Sequence, residues 1–178
     1  MTLQTVLRHI PGYVAGFGIF MVGIPFGLYF VSTMLDRYLP ICLIPQTWVR
    51  IGLSLPVAAL GIGFIVWSNL YLFFVGKGGP ADGFGVQISP RTERLVTRGP
   101  YRYTRNPMVF GALSLYVGLA LFLNSAMCLG LAALLFWGAS IYLKQVEERR
   151  LLKDFGDEYE KYRKRVSILV PLPPGKRI

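Results

Sequence analysis

The sequence has few of the residues on which metal sites and acid–base catalysis depend. Its 178 residues include one histidine, two cysteines and only 9 aspartates and glutamates. It shows no metal cluster and no catalytic triad, and Cys42 and Cys128 are expected to be inert apolar residues. Charged residues are also scarce, at 16%, whereas 53% of the residues are hydrophobic and the mean hydropathy is +0.49. This composition excludes an ordinary soluble domain and predicts an integral membrane protein with a single domain, residues 1–178.

Long apolar segments predict four transmembrane helices, at about residues 11–35, 48–75, 108–123 and 126–143. At about 1.5 Å per residue, the first two cross a hydrocarbon core of about 30 Å with room to tilt, and the last two are shorter. Only Asn124 and Ser125 separate the last two, which predicts a tight helical hairpin. The expected fold class is an all-α integral membrane protein with about four transmembrane helices, a C-terminal hairpin and a cytoplasmic amphipathic helix.

The basic residues are distributed unevenly along the chain. Seventeen of the 19 lysines and arginines fall on one predicted side: Arg8, six in the loop 76–107 and ten in the C-terminal segment 144–178. Because positive charge marks the cytoplasmic side, both termini and the loop are expected to be cytoplasmic. No soluble basic domain or zinc motif accompanies the positive charge, so we expect no nucleic-acid partner.

Glycines recur at a four-residue spacing in the first predicted span, Gly12 with Gly16 and Gly23 with Gly27. This spacing lets helices approach closely in a membrane, so we expect these glycines to pack within the chain. The loop also begins with a glycine-rich stretch, GKGGPADGFG. It matches neither a phosphate-binding loop nor a dinucleotide fingerprint, because Pro80 stands where Ser or Thr is needed and no strand surrounds the glycines.

Two polar clusters lie at the edges of the last two spans. The stretch GPYRYTRNPM, Gly99 to Met108, holds two arginines, two tyrosines and two prolines, and Glu147 and Glu148 follow the fourth span. An unpaired carboxylate at a membrane boundary costs roughly a few kcal/mol, so the glutamates need partners. Basic residues between 144 and 150 could be those partners. The arginines of RGPYRYTR are the alternative, because the hairpin returns the chain to the same membrane depth.

Beyond the fourth span, apolar residues recur at helical spacing: Leu151, Phe155, Tyr159, Tyr162 and Val166. Basic residues lie between them, which predicts a helix lying along the headgroup surface with its apolar stripe in the membrane interface. Gly156 is expected to end one helix before the next begins.

In this order, the motifs resemble the isoprenylcysteine carboxyl methyltransferase and phospholipid methyltransferase superfamily. The resemblance rests on GPYRYTRNPM, the hairpin, the glutamate pair, FGDEYEKY and a closing RV with a proline downstream, and it covers about Lys77 to Pro171. It implies a multi-span enzyme that binds S-adenosylmethionine between the cytoplasmic end of the hairpin and the C-terminal segment. It also implies methylation of lipidic or lipid-anchored acceptors that arrive from the bilayer.

The resemblance further implies a set of cofactor-binding residues, of which the first two would line the nucleoside. The set is Leu95, Val96, Gly99, Tyr101, Arg105, Asn106, Pro107, Met108, Glu147 and Glu148. The chain departs from the carboxyl methyltransferase pattern RHPxY, with Asn106 for the histidine and Val109 for the tyrosine. Leu143 and Lys144 stand where those enzymes carry an arginine ahead of the glutamates. These departures bear on the acceptor more than on the cofactor.

Methyl transfer from a sulfonium needs in-line approach in a dry site more than it needs an acid or a base. We expect Arg105 and Glu147 to be the catalytic residues. Arg105 would bind the cofactor's carboxylate or orient an anionic acceptor. One of Glu147 and Glu148 would accept hydrogen bonds from the cofactor's ribose or amine, and the other would pair with a basic side chain. Pro100 and Pro107 would fix the turn between them with its amides exposed to the ligand.

Two other functions fit parts of the sequence. Membrane sterol reductases are similar in their C-terminal half and use NADPH, which would make the same cluster a nicotinamide site, although those proteins are generally longer. A non-enzymatic module that binds anionic membrane lipid would show binding that falls with salt and tolerates any single charge change. The acceptor stays open among a phospholipid amine, a small lipophilic thiol or amine, and a prenylcysteine-like carboxylate. The oligomeric state also stays open.

Overall fold

The computed structural model describes residues 3–78, 82–83, 86–87 and 92–173, so parts of the predicted loop and both chain ends lie outside the described residues. The helical elements are α1 (Leu3–Phe17), a π-helical segment (Gly18–Gly23), α2 (Ile24–Asp36), α3 (Thr47–Phe74), a 3-10 turn (Gly99–Arg102), α4 (Pro107–Leu123), α5 (Ala126–Tyr142), a second π-helical segment (Leu143–Glu147) and α6 (Glu148–Arg163). Two-residue strands pair antiparallel, β1 (Asp82–Gly83) with β2 (Val86–Gln87). Apart from this short pair, the all-α fold class is confirmed across the described ranges.

Three helices are long and apolar enough to cross a membrane by length and composition: Ile10–Asp36, Thr47–Phe74 and Ala126–Arg163. They contain or closely match the first, second and fourth predicted spans, so the chain is a multi-pass membrane protein. The third predicted span is α4, which has 17 residues. At 1.5 Å per residue it extends about 25 Å, less than a hydrocarbon core of about 30 Å. The count of four spans therefore stays a prediction.

The last long helix does not stop where the fourth predicted span ends. It runs from α5 through the second π-helical segment into α6, 38 residues in all, or about 57 Å at 1.5 Å per residue. This length exceeds the hydrocarbon core, so the charged α6 extends beyond it. Gly156 has φ 51° and ψ −128°, which interrupts the helical geometry. The expected break at Gly156 is confirmed.

Pro25 explains the first π-helical segment. Proline has no N–H to donate, so a carbonyl one turn before it loses its usual partner. The Ile24 N–H bonds the Ile19 carbonyl, five residues back. The Phe20 carbonyl, whose donor at that spacing would be Pro25, instead accepts the Tyr116 hydroxyl at 2.9 Å. Because Tyr116 is only 2% exposed, this bond ties the first long helix to α4 in the protein interior.

Helices α3 and α4 approach closely where glycines leave room. A Cβ on Gly61 would lie 2.5 Å from the Gly111 carbonyl oxygen, and one on Gly118 would lie 2.9 Å from Ala58. The expected close packing of the first-span glycines is wrong for Gly16 and Gly27, because no other part of the described chain comes within 4 Å of a Cβ there. The tight helix contact is between the second and third apolar segments instead.

Asn124 turns the chain between α4 and α5 with φ 57°, in the left-handed region. Its Oδ1 accepts the backbone N–H groups of Leu43 and Ile44 at 3.0 and 2.9 Å. The Ser125 hydroxyl caps α5 by accepting the Cys128 N–H at 2.9 Å. The predicted tight hairpin is confirmed, and the buried core lies mainly along it. Many large apolar side chains on the other helices are exposed, as expected of surfaces that face lipid.

Candidate functional site

The 3-10 turn that follows the loop is fixed at its start by a glycine and a proline. Gly99 has φ 61°, and a Cβ there would lie 2.4 Å from the Tyr71 ring, so only glycine fits between the turn and α3. Pro100 lies at the start of the 3-10 turn, where its ring restricts the backbone, and Pro107 occupies the first position of α4. The two prolines therefore confine residues 101–106, which we call the crossing, to a short connection that leads into α4.

Residues 167–172, which we call the C-terminal strap, run beside this crossing and bond to it. The Asn106 amide Nδ2 donates to the Ile168 carbonyl at 2.8 Å. The Leu172 N–H donates to the Tyr103 carbonyl at 2.9 Å. The strap therefore holds the crossing in place from a region that is distant in the sequence.

The backbone amides of the crossing are used inside the protein. Those of Tyr103 and Thr104 donate to the Pro100 carbonyl, that of Arg105 donates to the strap, and that of Asn106 donates to the Thr104 hydroxyl. The expectation that the two prolines expose the amides between them to a ligand is therefore wrong for these four.

Arg105 and Glu148 bring the two predicted polar clusters together. Arg105 Nη1 lies 2.7 Å from Glu148 Oε1 and 3.1 Å from the Tyr159 hydroxyl. Only 9% of the Arg105 side chain and 14% of the Glu148 side chain are exposed. The second carboxylate oxygen of Glu148 lies 3.6 Å from Arg163. A mostly buried glutamate thus holds the arginine of the crossing from the side of α6.

Glu147 has different contacts from Glu148, although the two are adjacent. Glu147 pairs with Arg150 on the same helix and lines a cavity, whereas Glu148 is not among the residues of that cavity wall. The second π-helical segment ends at Glu147, and its wider turn changes the direction of the residues that follow. Both partner sets considered from the sequence are therefore used, the local arginine by Glu147 and the arginine of the crossing by Glu148.

A cavity of about 160 Å³ opens beside Arg105. Six predicted cofactor-site residues line it: Leu95, Val96, Tyr101, Arg105, Met108 and Glu147. The other four are not among the residues that line it. Gly99 packs on Tyr71, Asn106 bonds the strap, Pro107 begins α4, and Glu148 pairs with Arg105.

Sequence reasoning did not identify eight further residues of the cavity wall: Leu72, Thr92, Arg150, Leu151, Asp154, Phe155, Tyr159 and Tyr162. Four of them belong to the apolar stripe of α6. The expectation that this stripe lies in the membrane interface is wrong for Tyr159 and Tyr162, which are 1% and 9% exposed. The helical spacing was a usable signal, but it does not tell whether a stripe faces lipid or protein.

The cavity wall carries charges of both signs beside apolar surface. Arg105 and Arg150 supply positive charge, and Glu147 and Asp154 supply negative charge. The Nε of Arg105 is buried and has no hydrogen-bond partner among the described residues. Buried donors in proteins are normally satisfied, so this atom is suited to an anionic or carbonyl group of a ligand.

Two buried tyrosines close the cavity on the side of the crossing. The Tyr162 hydroxyl donates to the Tyr101 carbonyl at 2.6 Å. Burial is the main factor that raises the pKa of the Tyr101 hydroxyl above its ordinary value. The neighbouring Tyr162, Tyr13 and Glu147 raise this pKa further. Tyr101 therefore stays neutral near pH 7 and adds no charge to the wall.

Comparison with known proteins identifies the family. Residues 48–158, more than half of the chain, match the phospholipid methyltransferase family. The protein-S-isoprenylcysteine O-methyltransferase of Schizosaccharomyces pombe is 36% identical over 80 residues, and that of Mus musculus is 32% identical over 87 residues. These matches cover 45% and 49% of this chain but 34% and 31% of the relatives, so the chain spans about a third of the length of the relatives it matches. The family match contains Arg105, both glutamates and nearly all of the cavity wall, and the chain belongs to the phospholipid methyltransferase family.

Proposed function

We propose that this protein is an S-adenosylmethionine-dependent methyltransferase whose acceptor is lipophilic and enters from the bilayer. One observation carries the proposal: the cavity beside Arg105 combines charged and apolar groups at the end of helices long enough to cross a membrane. Family membership supports the reaction class, as do the names of the two isoprenylcysteine relatives.

The residues around the cavity fit the chemistry of S-adenosylmethionine. That molecule carries a carboxylate, cationic groups, ribose hydroxyls and an aromatic base. Arg105 offers a buried Nε–H with no partner among the described residues, and such a donor costs free energy until something accepts from it. Glu147 and Asp154 suit the cationic groups, and Leu95 and Val96 offer apolar surface. The carboxylate, the cationic groups and the base of the cofactor therefore each have a complementary group in the wall.

When bound, S-adenosylmethionine supplies a methyl group on a sulfonium, which needs no acid or base to activate it. The chain's residues therefore have to bind, orient and exclude water. Glu148 and Tyr159 hold one end of the Arg105 guanidinium, which leaves its Nε–H for an anionic group. On this proposal Arg105 binds the cofactor's carboxylate or an anionic acceptor, and Glu148 is a positioning residue. Glu147 accepts hydrogen bonds from the ribose or the amine.

Burial strengthens these interactions. Val96 is 5% exposed and Tyr101 is 9% exposed, so this part of the wall is shielded from solvent, whereas Asp154 on the same wall is exposed. Charges interact more strongly in such surroundings than in water, and an acceptor's nucleophile loses part of its hydration shell there. The site therefore favours transfer to the acceptor over loss of the methyl group to water.

The acceptor is proposed to reach the cavity from the bilayer. Leu72 lies near the end of α3 and Met108 near the start of α4, so the wall includes residues at the ends of two apolar helices. We place this end and both termini in the cytoplasm because of the uneven distribution of basic residues. Phospholipids and isoprenylated cysteines, after which the family and the relatives are named, both join a polar group to an apolar tail.

Calorimetric titration with S-adenosylhomocysteine tests the proposal. The purified wild-type protein should bind it saturably, with a Kd on the order of micromolar. Arg105→Ala and Glu147→Ala should each weaken binding at least about tenfold, because each removes a charge-assisted hydrogen bond. Arg149→Ala is the matched control, since Arg149 is an exposed arginine on the same long helix as Glu147 and lies outside the cavity wall. It should bind like the wild type.

Three results would count against the proposal. Wild-type affinity in both the Arg105→Ala and Glu147→Ala variants would remove these residues from the site. Saturable binding of NADPH without binding of S-adenosylhomocysteine would favour a reductase. Binding of neither, together with association to anionic vesicles that falls with salt, would favour a lipid-binding module.

A further inference from the structure

Among the buried polar atoms without a partner in the described residues, the Tyr13 hydroxyl and the Asn69 Oδ1 belong to the spanning helices near the cavity, whereas Asp36 Oδ1 and Arg50 Nε belong to the opposite ends of those helices. In apolar surroundings such atoms cost free energy unless something binds them. The other amide atom of Asn69, Nδ2, donates to the Ile65 carbonyl at 2.8 Å. This bond fixes the orientation of the amide, so the unpartnered atom is an oxygen that can only accept.

Both residues lie beside the cavity wall. Asn69 precedes the cavity residue Leu72 by three positions and Phe73 by four, and the Phe73 ring meets the Tyr13 ring edge-on at 6.3 Å. Positions three and four apart share one face of a helix, so Asn69 lies between Leu72 and Phe73, about one turn further into the membrane. Tyr13 also helps to raise the pKa of Tyr101, another residue of the wall, which places the two side chains near each other.

We propose that Tyr13 and Asn69 bind the polar head of the lipophilic acceptor, and that this head presents an N–H or O–H group to Asn69. The inference rests on the proposed function and extends it to an acceptor subsite next to the cavity, whose wall includes neither Tyr13 nor Asn69. Because Asn69 Oδ1 only accepts, a bare carboxylate cannot satisfy it, whereas an amine, amide or hydroxyl can. The Tyr13 hydroxyl donates or accepts, so it can bond a second atom of the same head group.

Ser68 lies in the same helical turn as Asn69, and its hydrogen bond has a purely structural role. Its hydroxyl donates to the Ile65 carbonyl at 3.0 Å, and the residue is 0% exposed. Ser68 and Asn69 thus bond the same carbonyl, but only Asn69 retains an unpartnered buried atom among the described residues. Ser68→Ala is therefore a matched control, because it removes a bond to that carbonyl without removing an open acceptor.

The test compares Tyr13→Phe and Asn69→Leu, which remove the polar atoms and keep most of the side-chain volume. Methyl transfer is measured from radiolabelled S-adenosylmethionine to phosphatidylethanolamine in vesicles and to N-acetyl-S-farnesylcysteine. Each variant should raise the acceptor KM about tenfold, the value of one hydrogen bond of average strength or better. The affinity for S-adenosylhomocysteine should stay within about twofold of the wild type, and the unfolding temperature should fall by no more than it does in Ser68→Ala. Ser68→Ala should leave both KM values unchanged.

A second comparison isolates the hydrogen bond to Asn69. The farnesylcysteine derivative carries an amide N–H that the otherwise matched farnesylthiopropionic acid lacks. The wild type should prefer the amide-containing acceptor, and Asn69→Leu should erase that preference, as expected when two changes remove one interaction.

Several outcomes would overturn the inference. Unchanged acceptor KM values in both variants would show that neither atom meets the acceptor. A fall in unfolding temperature larger than that of Ser68→Ala would show that the atoms are bonded within the protein. A wild-type protein that binds S-adenosylhomocysteine but methylates neither acceptor would refute the acceptor chemistry and leave the proposed function standing. A wild-type protein that does not bind S-adenosylhomocysteine would refute both.

Discussion

Asn124 and Arg105, at opposite ends of the α4–α5 hairpin, differ in how fully their side chains are bonded. At one end, Asn124 Oδ1 accepts two backbone N–H groups, and its Nδ2 contacts the Cys42 sulfur at 2.9 Å. At the other end, Arg105 bonds Glu148 and Tyr159 but keeps a buried Nε without a partner among the described residues. A completed set of bonds stabilises a turn, whereas a buried donor left over is suited to a ligand. The comparison separates a residue that holds the fold from one that we propose binds the cofactor.

Replacing Glu148 with glutamine should have the largest effect. The change removes the negative charge 2.7 Å from Arg105 and leaves a mostly buried guanidinium without that partner. Breaking a buried ion pair from one side costs roughly 3–5 kcal/mol. We expect a lower unfolding temperature in detergent, and a loss of affinity for S-adenosylhomocysteine of at least about tenfold, measured by calorimetry.

Glu160→Gln is the control for that change, because Glu160 pairs with Lys164 at 3.2 Å with both side chains well exposed. An exposed pair contributes at most about 1 kcal/mol, so stability and ligand affinity should barely change. If Glu148→Gln behaved like this control, the distinction between the two hairpin ends would fail.

At the opposite end, Asn124→Ala should lower stability and leave ligand affinity intact. The variant loses the bonds to Leu43 and Ile44 and places alanine at φ 57°. Together these effects should cost about 2 kcal/mol or more in the free energy of unfolding. Asn124→Gly removes the same side chain without the backbone strain, so it should lose less. A weaker affinity for S-adenosylhomocysteine in Asn124→Ala would show that the two ends are coupled.

Alkaline pH should lower the free energy of unfolding through Tyr101, at the hairpin end that contains Arg105. Burial raises the pKa of Tyr101 in the folded state, whereas an unfolded tyrosine titrates near pH 10. The stabilising contribution is therefore complete below pH 10 and is lost as the pH rises above it. Between pH 9 and 10.5 the wild type should lose roughly 0.8 kcal/mol more stability than Tyr101→Phe. Parallel pH curves for the two proteins would contradict this assignment.

The smallest effect is expected in the middle of the hairpin, from Tyr116→Phe. The variant loses the hydroxyl bonded to the Phe20 carbonyl at 2.9 Å. Hydrogen bonds between membrane helices average about 0.6 kcal/mol, so the unfolding temperature should fall only slightly. Ligand affinity should not change, because Tyr116 is not part of the cavity wall. A loss as large as that of Asn124→Ala would show that this bond carries more of the fold than expected.

The helix boundaries could be predicted from the sequence because local chemistry sets them. Pro107 begins α4, and Asn124 and Ser125 separate it from α5, so the predicted and observed segments agree closely. The meeting of Arg105 with a glutamate could also be predicted, since a hairpin returns the chain to its starting depth. Both inferences depend only on the order of apolar and polar residues.

Contacts that depend on how helices rotate and pack could not be predicted. Which glutamate meets Arg105 depends on the second π-helical segment, and the residues that form it give no proline-like signal. The α6 stripe was compatible with lipid or protein, and packing decides that Tyr159 faces protein. Likewise, the sequence does not show that Gly61 rather than Gly16 meets another helix. Each of these depends on residues far apart in the chain.

The C-terminal strap determines when during synthesis the site can form. Asn106 bonds the carbonyl of Ile168, 62 residues further along the chain. Synthesis and folding proceed from the N-terminus, so α3, α4 and α5 are made and meet the bilayer before the strap exists. Membrane insertion therefore precedes completion of the crossing. A nascent chain at that stage holds its spanning helices but not a finished cavity, so the proposed ligand binding requires a chain whose strap is already in place.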